Sequence, residues 1–343
     1  MLAGQGRRRR LVVLGGGVIF VLTLLGVAFA HSFAALLCAF VVFYPASGAF
    51  VSLTQAEIMD VWPDRQAQVM VRWELAGSIG AVAGPLLLTA VLASGGGWRD
   101  GYLVLAGLAA ASWLGSCLRG PVIPVAQTAA ADGGQTQGGE TASRPWRARA
   151  GEVIAALRDW GTLRWLVLLQ VADLLVDVFT GFLALYLVEV VHLRPALAAL
   201  AIAVRLGAAL AGDAAVVLVL ERAGDLAVLR TSAVAAALLY PGFLLVPGTV
   251  PKLVILAVLS AATAPWYPLL QARLYGSLPG RSSVAVTLST AAGMAGGLGP
   301  LAVGLLANGF GLPWALAGLT VVPVAVLALS ATARPGATED ADA

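Results

Sequence analysis

Charged residues are scarce in this sequence. Of its 343 residues, 11% are charged and 59% are hydrophobic, and the mean hydropathy is +0.89, whereas soluble globular proteins carry about 25% charged residues. This composition excludes a single water-soluble core. Lysine occurs once against 40 glycines, and abundant small residues are typical of helices that pack closely in lipid.

Cysteine and histidine are equally rare, and their scarcity excludes several kinds of site. Cys38 and Cys117 lie in separate apolar runs, and His31 and His192 are the only histidines, so we expect no disulfide framework and no metal site. The sequence has no Ser/His/Asp set, no Cys/His pair and no GxxxxGK[ST] loop, so we expect neither enzyme activity nor a cofactor. No basic polar segment suggests a nucleic-acid partner.

Long apolar runs are what the sequence does contain. A bilayer core about 30 Å thick needs about 20 apolar residues in a helix, and ten such runs follow one another. Their expected limits are 11–30, 33–55, 69–93, 101–118, 163–190, 196–220, 231–247, 252–274, 283–307 and 312–331. The sequence therefore predicts an all-α, multi-pass membrane protein whose first partner is the lipid bilayer.

Basic residues between the runs predict the orientation of the chain. If the arginines at 7–10 are cytoplasmic, that side holds 16 basic residues and the other side holds three: Arg99, Arg194 and Lys252. Under the positive-inside rule, both termini are then cytoplasmic. We expect the protein in the cell membrane.

The longest break between runs divides the chain into two bundles. The expected parts are a four-span bundle at 1–118, a cytoplasmic linker at 119–160, a six-span bundle at 161–331 and a cytoplasmic tail at 332–343. Within the linker, the low-complexity stretch 132–139 predicts disorder. Apolar positions at helical spacing between Arg149 and Trp160 predict a short amphipathic helix on the inner membrane face.

Two segments resemble copies of one another. The stretches 65–88 and 281–303 each carry an arginine, a run of glycines and alanines, and a Gly-Pro pair that ends at Pro85 or Pro300. Because the copies run in the same order, an axis along the membrane normal should relate the two halves. The first copy lies in the third of four spans and the second in the fifth of six, so the first half is expected to lack two leading spans.

Parallel six-helix repeats joined by a long cytoplasmic loop resemble the major facilitator superfamily of secondary transporters, over nearly the whole chain. Gly80, Gly84 and Pro85 match the glycine-rich motif on the fifth helix of its exporters, with Ala76 in place of the first glycine. The segment 221–224, Glu-Arg-Ala-Gly, resembles the family's D-R-x-G loop. The resemblance implies two helical bundles, alternating access and export, with import as an alternative.

The Gly-Pro segments have two possible roles. Small residues four apart seat one helix against another and need no further function. Alternatively, the bend lets the two halves rock during transport. The residues concerned are Gly80, Gly84, Pro85, Gly296, Gly299 and Pro300.

Ionisable side chains inside the spans are candidates for proton coupling. A charge near the bilayer centre costs about 2.5 to 3.5 kcal/mol on insertion scales. Asp173 and Asp177 lie four residues apart near the middle of the fifth span and so share a helix face. Two carboxylates this close in a low dielectric are not expected both to stay ionised, which suits a proton carrier. We expect Arg205 to be their counter-ion, with a structural ion pair or polar contact to Arg205, without titration, as the alternative.

Polar and aromatic side chains within the spans are candidate substrate contacts. Trp266 and Tyr267 lie between Pro265 and Pro268, and interrupted helices at matching positions of two halves indicate a transporter's binding site. An aromatic pocket with few charges suits an amphipathic organic molecule. Anchoring at the membrane interface is the alternative role for the aromatic residues. The candidate residues are Tyr44, Gln170, Tyr186, Trp266, Tyr267 and Gln271.

These features together predict a proton-coupled antiporter that exports small organic molecules and works as a monomer. The two leading spans expected from the repeat point to a start assigned too far downstream, or else to a genuine ten-span product. A degenerate or truncated membrane protein without transport activity is the competing hypothesis, and an importer of the same family is another.

Overall fold

The structure, a computed structural model, describes residues 3–118, 146–278 and 281–331. Within these ranges the chain is almost entirely helical and contains no strand. Ten helical segments there are long and apolar enough to cross a membrane. They confirm the all-α class and the ten spans predicted from the apolar runs.

The first four spans are single helices. They are α1 (Ala3–Ala28), α2 (Phe33–Val61), α3 (Gln66–Ala93) and α4 (Trp98–Leu118). A short 3₁₀ turn at Pro63–Arg65 leads into α3. Both α2 and α3 continue through an internal proline, Pro45 and Pro85 respectively.

A short helix, α5 (Trp146–Arg158), precedes the fifth span. It lies where the sequence places an amphipathic helix, whereas the stretch 132–139 falls outside the described residues. The fifth span consists of α6 (Trp160–Asp173), a π turn (Leu174–Val178) and α7 (Phe179–Glu189).

The last five spans include several broken helices. Their elements are α8 (Pro195–Val219), α9 (Asp225–Leu245), α10 (Thr249–Thr263), α11 (Trp266–Gly276), α12 (Ser282–Gly296), α13 (Gly299–Phe310), α14 (Leu312–Gly318) and α15 (Val321–Ala331). The break before α11 contains Pro265, which cannot donate a backbone hydrogen bond within a helix. The break between α12 and α13 precedes Pro300, which occupies the first turn of α13.

One of the two compact units of the chain comprises residues 1–61, 83–152 and 279–286. Within it, α1 packs against α2 and α4. The Trp113 indole donates to the Leu14 carbonyl at 2.9 Å. A Cβ at Gly17 would lie 2.5 Å from the Trp113 ring, so this glycine makes room for the indole.

The other unit comprises residues 62–82, 153–278 and 287–343, and its core is aromatic. Phe179 packs edge-on against Tyr240 and Phe243, with ring centroids 5.3 and 5.5 Å away. Such edge-to-face pairs are favourable beyond the area they bury. They fix α7 against α9, so the fifth span has a rigid neighbour.

Lys252, which we expected in a loop, is buried in the first turn of α10. Its ammonium donates to the carbonyls of Phe243 and Leu244, at the end of α9, and lies 3.5 Å from the Tyr186 hydroxyl. A cation at a helix C-terminus interacts favourably with the helix dipole. Lys252 therefore joins the ends of α7, α9 and α10 rather than adding a solvated loop charge.

Candidate functional site

The candidate site is a group of four carboxylates in the second unit, which we call the acidic cluster. Its members are Glu74 on α3, Asp173 on α6, Asp177 in the π turn and Asp213 on α8. Charge interactions join Glu74 to Asp213 and Asp177, and join Asp173 to Asp177. All four lie in segments long and apolar enough to cross a membrane. There, a carboxylate needs a proton, a partner or a water-filled space.

Glu74 and Asp213 were not among the coupling residues expected from the sequence. Asp213 is 3% exposed and accepts a hydrogen bond from the Ser78 hydroxyl at 2.5 Å. Ser78 lies four residues after Glu74, so both project from one face of α3. The first half of α3 therefore supplies one carboxylate of the cluster and holds another. A charge at the start of an apolar run was the only sequence signal for Glu74.

Among the aromatic candidates, Tyr267 is the one with electrostatic interactions with the acidic cluster. Its hydroxyl group is within range of the charges of Glu74, Asp173 and Asp177. A phenol can donate to a carboxylate or accept from a protonated one. The interruption at Pro265, predicted from the sequence, starts α11 just before Tyr267.

The π turn interrupts the fifth span within the acidic cluster. Asp173 ends α6, and Asp177 lies inside the turn, where the Phe179 amide donates to the Leu174 carbonyl five residues earlier. Single π turns inside α-helices occur frequently at functional sites. No sequence pattern predicted it.

Arg205 binds the π turn rather than a carboxylate. The side chain is 8% exposed, its Nε donates to the Thr180 hydroxyl at 2.8 Å, and its Nη2 donates to the Val176 carbonyl. In the described part of the chain, no carboxylate lies within ion-pair distance of Arg205, so the contact ion pair considered above is not formed. The guanidinium still acts on Asp177 electrostatically.

Gln170 lines a groove of about 390 Å³ between α6 and the α12–α13 segment. Its side-chain oxygen is buried without a hydrogen-bond partner, and a Cβ at Gly296 would collide with that oxygen. Gln271, on α11, is also buried with an unpartnered side-chain oxygen. Both amides can therefore accept a hydrogen bond that the described residues do not supply.

Three other candidate substrate contacts lie elsewhere. Trp266 is 0% exposed and its indole donates to Ser232 at 2.9 Å, while Tyr186 is buried beside Lys252. Both side chains belong to the packed interior, which differs from the cavity-lining positions expected. Tyr44 lies on α2 in the first unit and is 81% exposed.

The two Gly-Pro segments differ in their surroundings. A Cβ at Gly299 would lie 2.9 Å from Leu174 and 3.4 Å from Val178, whereas a Cβ at Gly80 or Gly84 would meet nothing within 4 Å. Close packing, one of the two roles considered for these segments, is seen at Gly299 and not at Gly80 or Gly84.

Two ion pairs lie near the helix ends of this unit. Arg273 on α11 pairs with Asp225 at the start of α9. Arg72 on α3 lies 3.8 Å from Glu221, the first residue of the Glu-Arg-Ala-Gly segment, and both side chains are largely exposed. The exposed Arg72–Glu221 pair contributes at most about 1 kcal/mol, whereas the side chains of the Arg273–Asp225 pair are mostly buried.

Comparisons with known proteins agree with this architecture. Two crystal structures of the fucose transporter FucP share the fold: one, in the outward conformation, has 13% identity and a TM-score of 0.72, and covers 94% of this chain and 82% of that one. The other, of the E. coli fucose:proton symporter, has 14% identity and a TM-score of 0.73, and covers 94% of this chain and 83% of that one. A comparison with curated proteins finds no match.

A family model settles the classification. The model described as Major Facilitator Superfamily matches residues 5–286, which is most of the chain. Proteins of this family are transporters and not enzymes. The chain belongs to the major facilitator superfamily.

Proposed function

We propose that this chain is a proton-coupled secondary transporter of small organic molecules, which works by alternating access. The observation that carries the proposal is the acidic cluster: four carboxylates in apolar spans, with the nearby guanidinium of Arg205 bound to neutral oxygens. Uncompensated charge at such a depth is costly. Binding a proton removes that cost, and losing the proton restores it.

The coupling step uses Asp173 and Asp177. A proton enters the pair from one side of the membrane, when the surrounding space is open to that side, and leaves to the other side after the conformational change. Glu74 and Tyr267, which interact electrostatically with the pair, stabilise or displace that proton. The Ser78–Asp213 hydrogen bond joins α3 to α8 within the cluster, so a change in the charge of Asp213 also changes the contact between these helices.

The substrate site adjoins the cluster. Tyr267 supplies an aromatic face, and Gln170 and Gln271 supply amide groups with unused acceptors. Apolar side chains line most of the groove beside Gln170. This combination suits a molecule with an apolar body and a few hydrogen-bond donors.

Two directions of coupling compete. The exporter-like motif at Gly80, Gly84 and Pro85 favours export by proton antiport. The similarity to a fucose:proton symporter favours uptake with a proton. We propose antiport, because the motif is a property of this sequence whereas the similarity to FucP concerns only the fold.

Placement in the membrane completes the proposal. We expect a monomer in the cell membrane with both termini in the cytoplasm, because the basic loop residues are concentrated on one side. Reporter fusions at the two ends check this orientation. A periplasmic signal from either end would contradict it.

Proteoliposomes test the proposed function. Purified protein is reconstituted, a pH gradient is imposed in either direction, and entry of L-fucose or ethidium is followed together with internal pH. Antiport predicts that a probe accumulates when the interior is acidic, and symport predicts accumulation when the exterior is acidic. Absence of gradient-dependent movement of both probes would favour the non-transporting alternative.

A further inference from the structure

The π turn at Leu174–Val178 has no cause within its own sequence. It contains neither proline nor glycine, and kinks without these residues usually arise where another group inserts into the backbone hydrogen bonds. Here that group is the Arg205 guanidinium, which reaches from α8 and donates to the Val176 carbonyl. The turn is therefore held from outside its helix.

Thr180 completes the arrangement. Its hydroxyl donates to the same Val176 carbonyl and accepts from Nε of Arg205 at 2.8 Å. The hydroxyl thus uses its donor and acceptor capacity together. Arg205, Thr180 and the Val176 carbonyl form a closed set of hydrogen bonds, which we call the clamp.

The clamp holds the peptide bond that precedes Asp177. Because a peptide unit is planar, fixing the Val176 carbonyl also fixes the direction in which the Asp177 backbone begins. The exposed Asp177 carboxylate makes no side-chain hydrogen bond among the described residues. Its position is therefore set mainly by its backbone.

Asp177 interacts with charged or titratable groups on its own span and on three other helices. Asp173 lies one turn earlier on its own span, Glu74 lies on α3, Arg205 on α8 and Tyr267 on α11. Coulomb energies in a low dielectric change steeply with distance. A small displacement of the π turn would therefore change the protonation of Asp177.

We propose that Arg205 and Thr180 are positioning residues, which clamp the π turn so that Asp177 keeps a fixed place in the acidic cluster while it exchanges a proton. This inference rests on the proposed function. It assigns a role to Thr180 and gives Arg205 a role through the backbone in addition to its charge.

Infrared difference spectroscopy of the reconstituted protein tests the clamp without a substrate. The spectrum of Asp177→Asn identifies the carboxyl signal of Asp177, whose pH midpoint is then measured in Thr180→Val and Arg205→Lys. We expect both midpoints to differ from the wild-type value by about one pH unit. Thr180→Ser, which keeps the hydroxyl, should restore the wild-type value.

Thr231→Val is the matched control, because the Thr231 hydroxyl bonds only to carbonyls of its own helix. Its midpoint should equal the wild-type value. Size-exclusion chromatography and thermal unfolding identify the variants that fold. Thr180→Ala replaces Thr180→Val if that variant does not fold. An unchanged midpoint in folded Thr180 and Arg205 variants would overturn the clamp, as would a wild-type spectrum without an Asp177 transition. Failure of the proposed function is separate, since it shows in the wild-type transport assay.

Discussion

The two Gly-Pro segments are similar in sequence and different in structure. In the first copy, Pro85 lies inside the continuous helix α3 and Gly84 borders open space. In the second copy, the helix breaks, Pro300 sits in the first turn of α13, and Gly299 packs against Leu174 of the fifth span. The neighbour, and not the motif, decides whether small residues serve close packing.

The break itself has a local cause. The second copy has adjacent glycines at 296 and 297, and glycine in a helix interior costs up to about 1 kcal/mol relative to alanine. The first copy has Ala81, Val82 and Ala83 between its glycines, so the helix continues. The comparison therefore separates an effect of local sequence from an effect of packing.

Replacement of a glycine by valine should show the largest difference in the free energy of unfolding between the two copies. Gly299→Val should lower the free energy of unfolding by about 2 kcal/mol because it overpacks the contact with Leu174 and Val178, whereas Gly84→Val should change it by less than about 0.5 kcal/mol. Gly212→Val sets the upper reference at about 3 kcal/mol, because its Cβ would lie 2.6 Å from the backbone oxygen of Ala261. Reversible unfolding in detergent measures all three. Equal effects at Gly84 and Gly299 would contradict the comparison.

Replacement of Pro85 and of Pro300 by alanine should change the free energy of unfolding differently, raising it only for Pro85. Pro85→Ala should stabilise α3 by about 1 kcal/mol, less than the roughly 3 kcal/mol known for soluble helices, because freed carbonyls in membrane helices find other partners. Pro300→Ala should be neutral or slightly destabilising, since proline suits the first turn of a helix. The same unfolding assay compares them. Stabilisation by Pro300→Ala would show that the break is strained.

A further small effect concerns the start of the fifth span, against which the second copy packs. Asp159 accepts a hydrogen bond from the Thr162 amide at 2.9 Å, and Asp159→Ala should cost about 1 kcal/mol as a lost N-cap. This hydrogen bond and a second one from the Thr162 hydroxyl lower the pKa of Asp159 below its usual value. Its contribution is therefore complete above the unfolded pKa of about 3.9 and disappears as the pH falls below it. Asp159→Asn, which keeps an acceptor, should lose that pH dependence in unfolding measurements.

Much of the fold follows from the sequence because lipid imposes simple rules. Each apolar run had to be long enough to cross the membrane, and Pro265 and Pro268 together marked the interruption of their span. The contacts within the membrane follow no such rule. Glu74 joins the acidic cluster because α3 comes near enough to α8 for Ser78 to bond Asp213, and no spacing along the chain encodes that.

The remaining differences between the sequence predictions and the structure share one physical cause. In each, a polar group finds a hydrogen-bond partner on another part of the fold. Trp266 is buried because Ser232 accepts its N–H, and Lys252 is buried because helix-end carbonyls accept its protons. The π turn exists where Arg205 reaches a carbonyl. In each case the partner lies on another helix, so the residue alone predicts exposure or a different role.

The central claim is that the acidic cluster couples transport to protons, and the pH-gradient response of Asp173→Asn/Asp177→Asn tests it most directly. Asp64→Asn is the control, since this carboxylate lies exposed on the 3₁₀ turn before α3. In proteoliposomes, the double variant should lose gradient-driven accumulation of L-fucose or ethidium by at least about tenfold, while Asp64→Asn behaves as wild type. A double variant that still responds to the gradient as the control does would contradict the account.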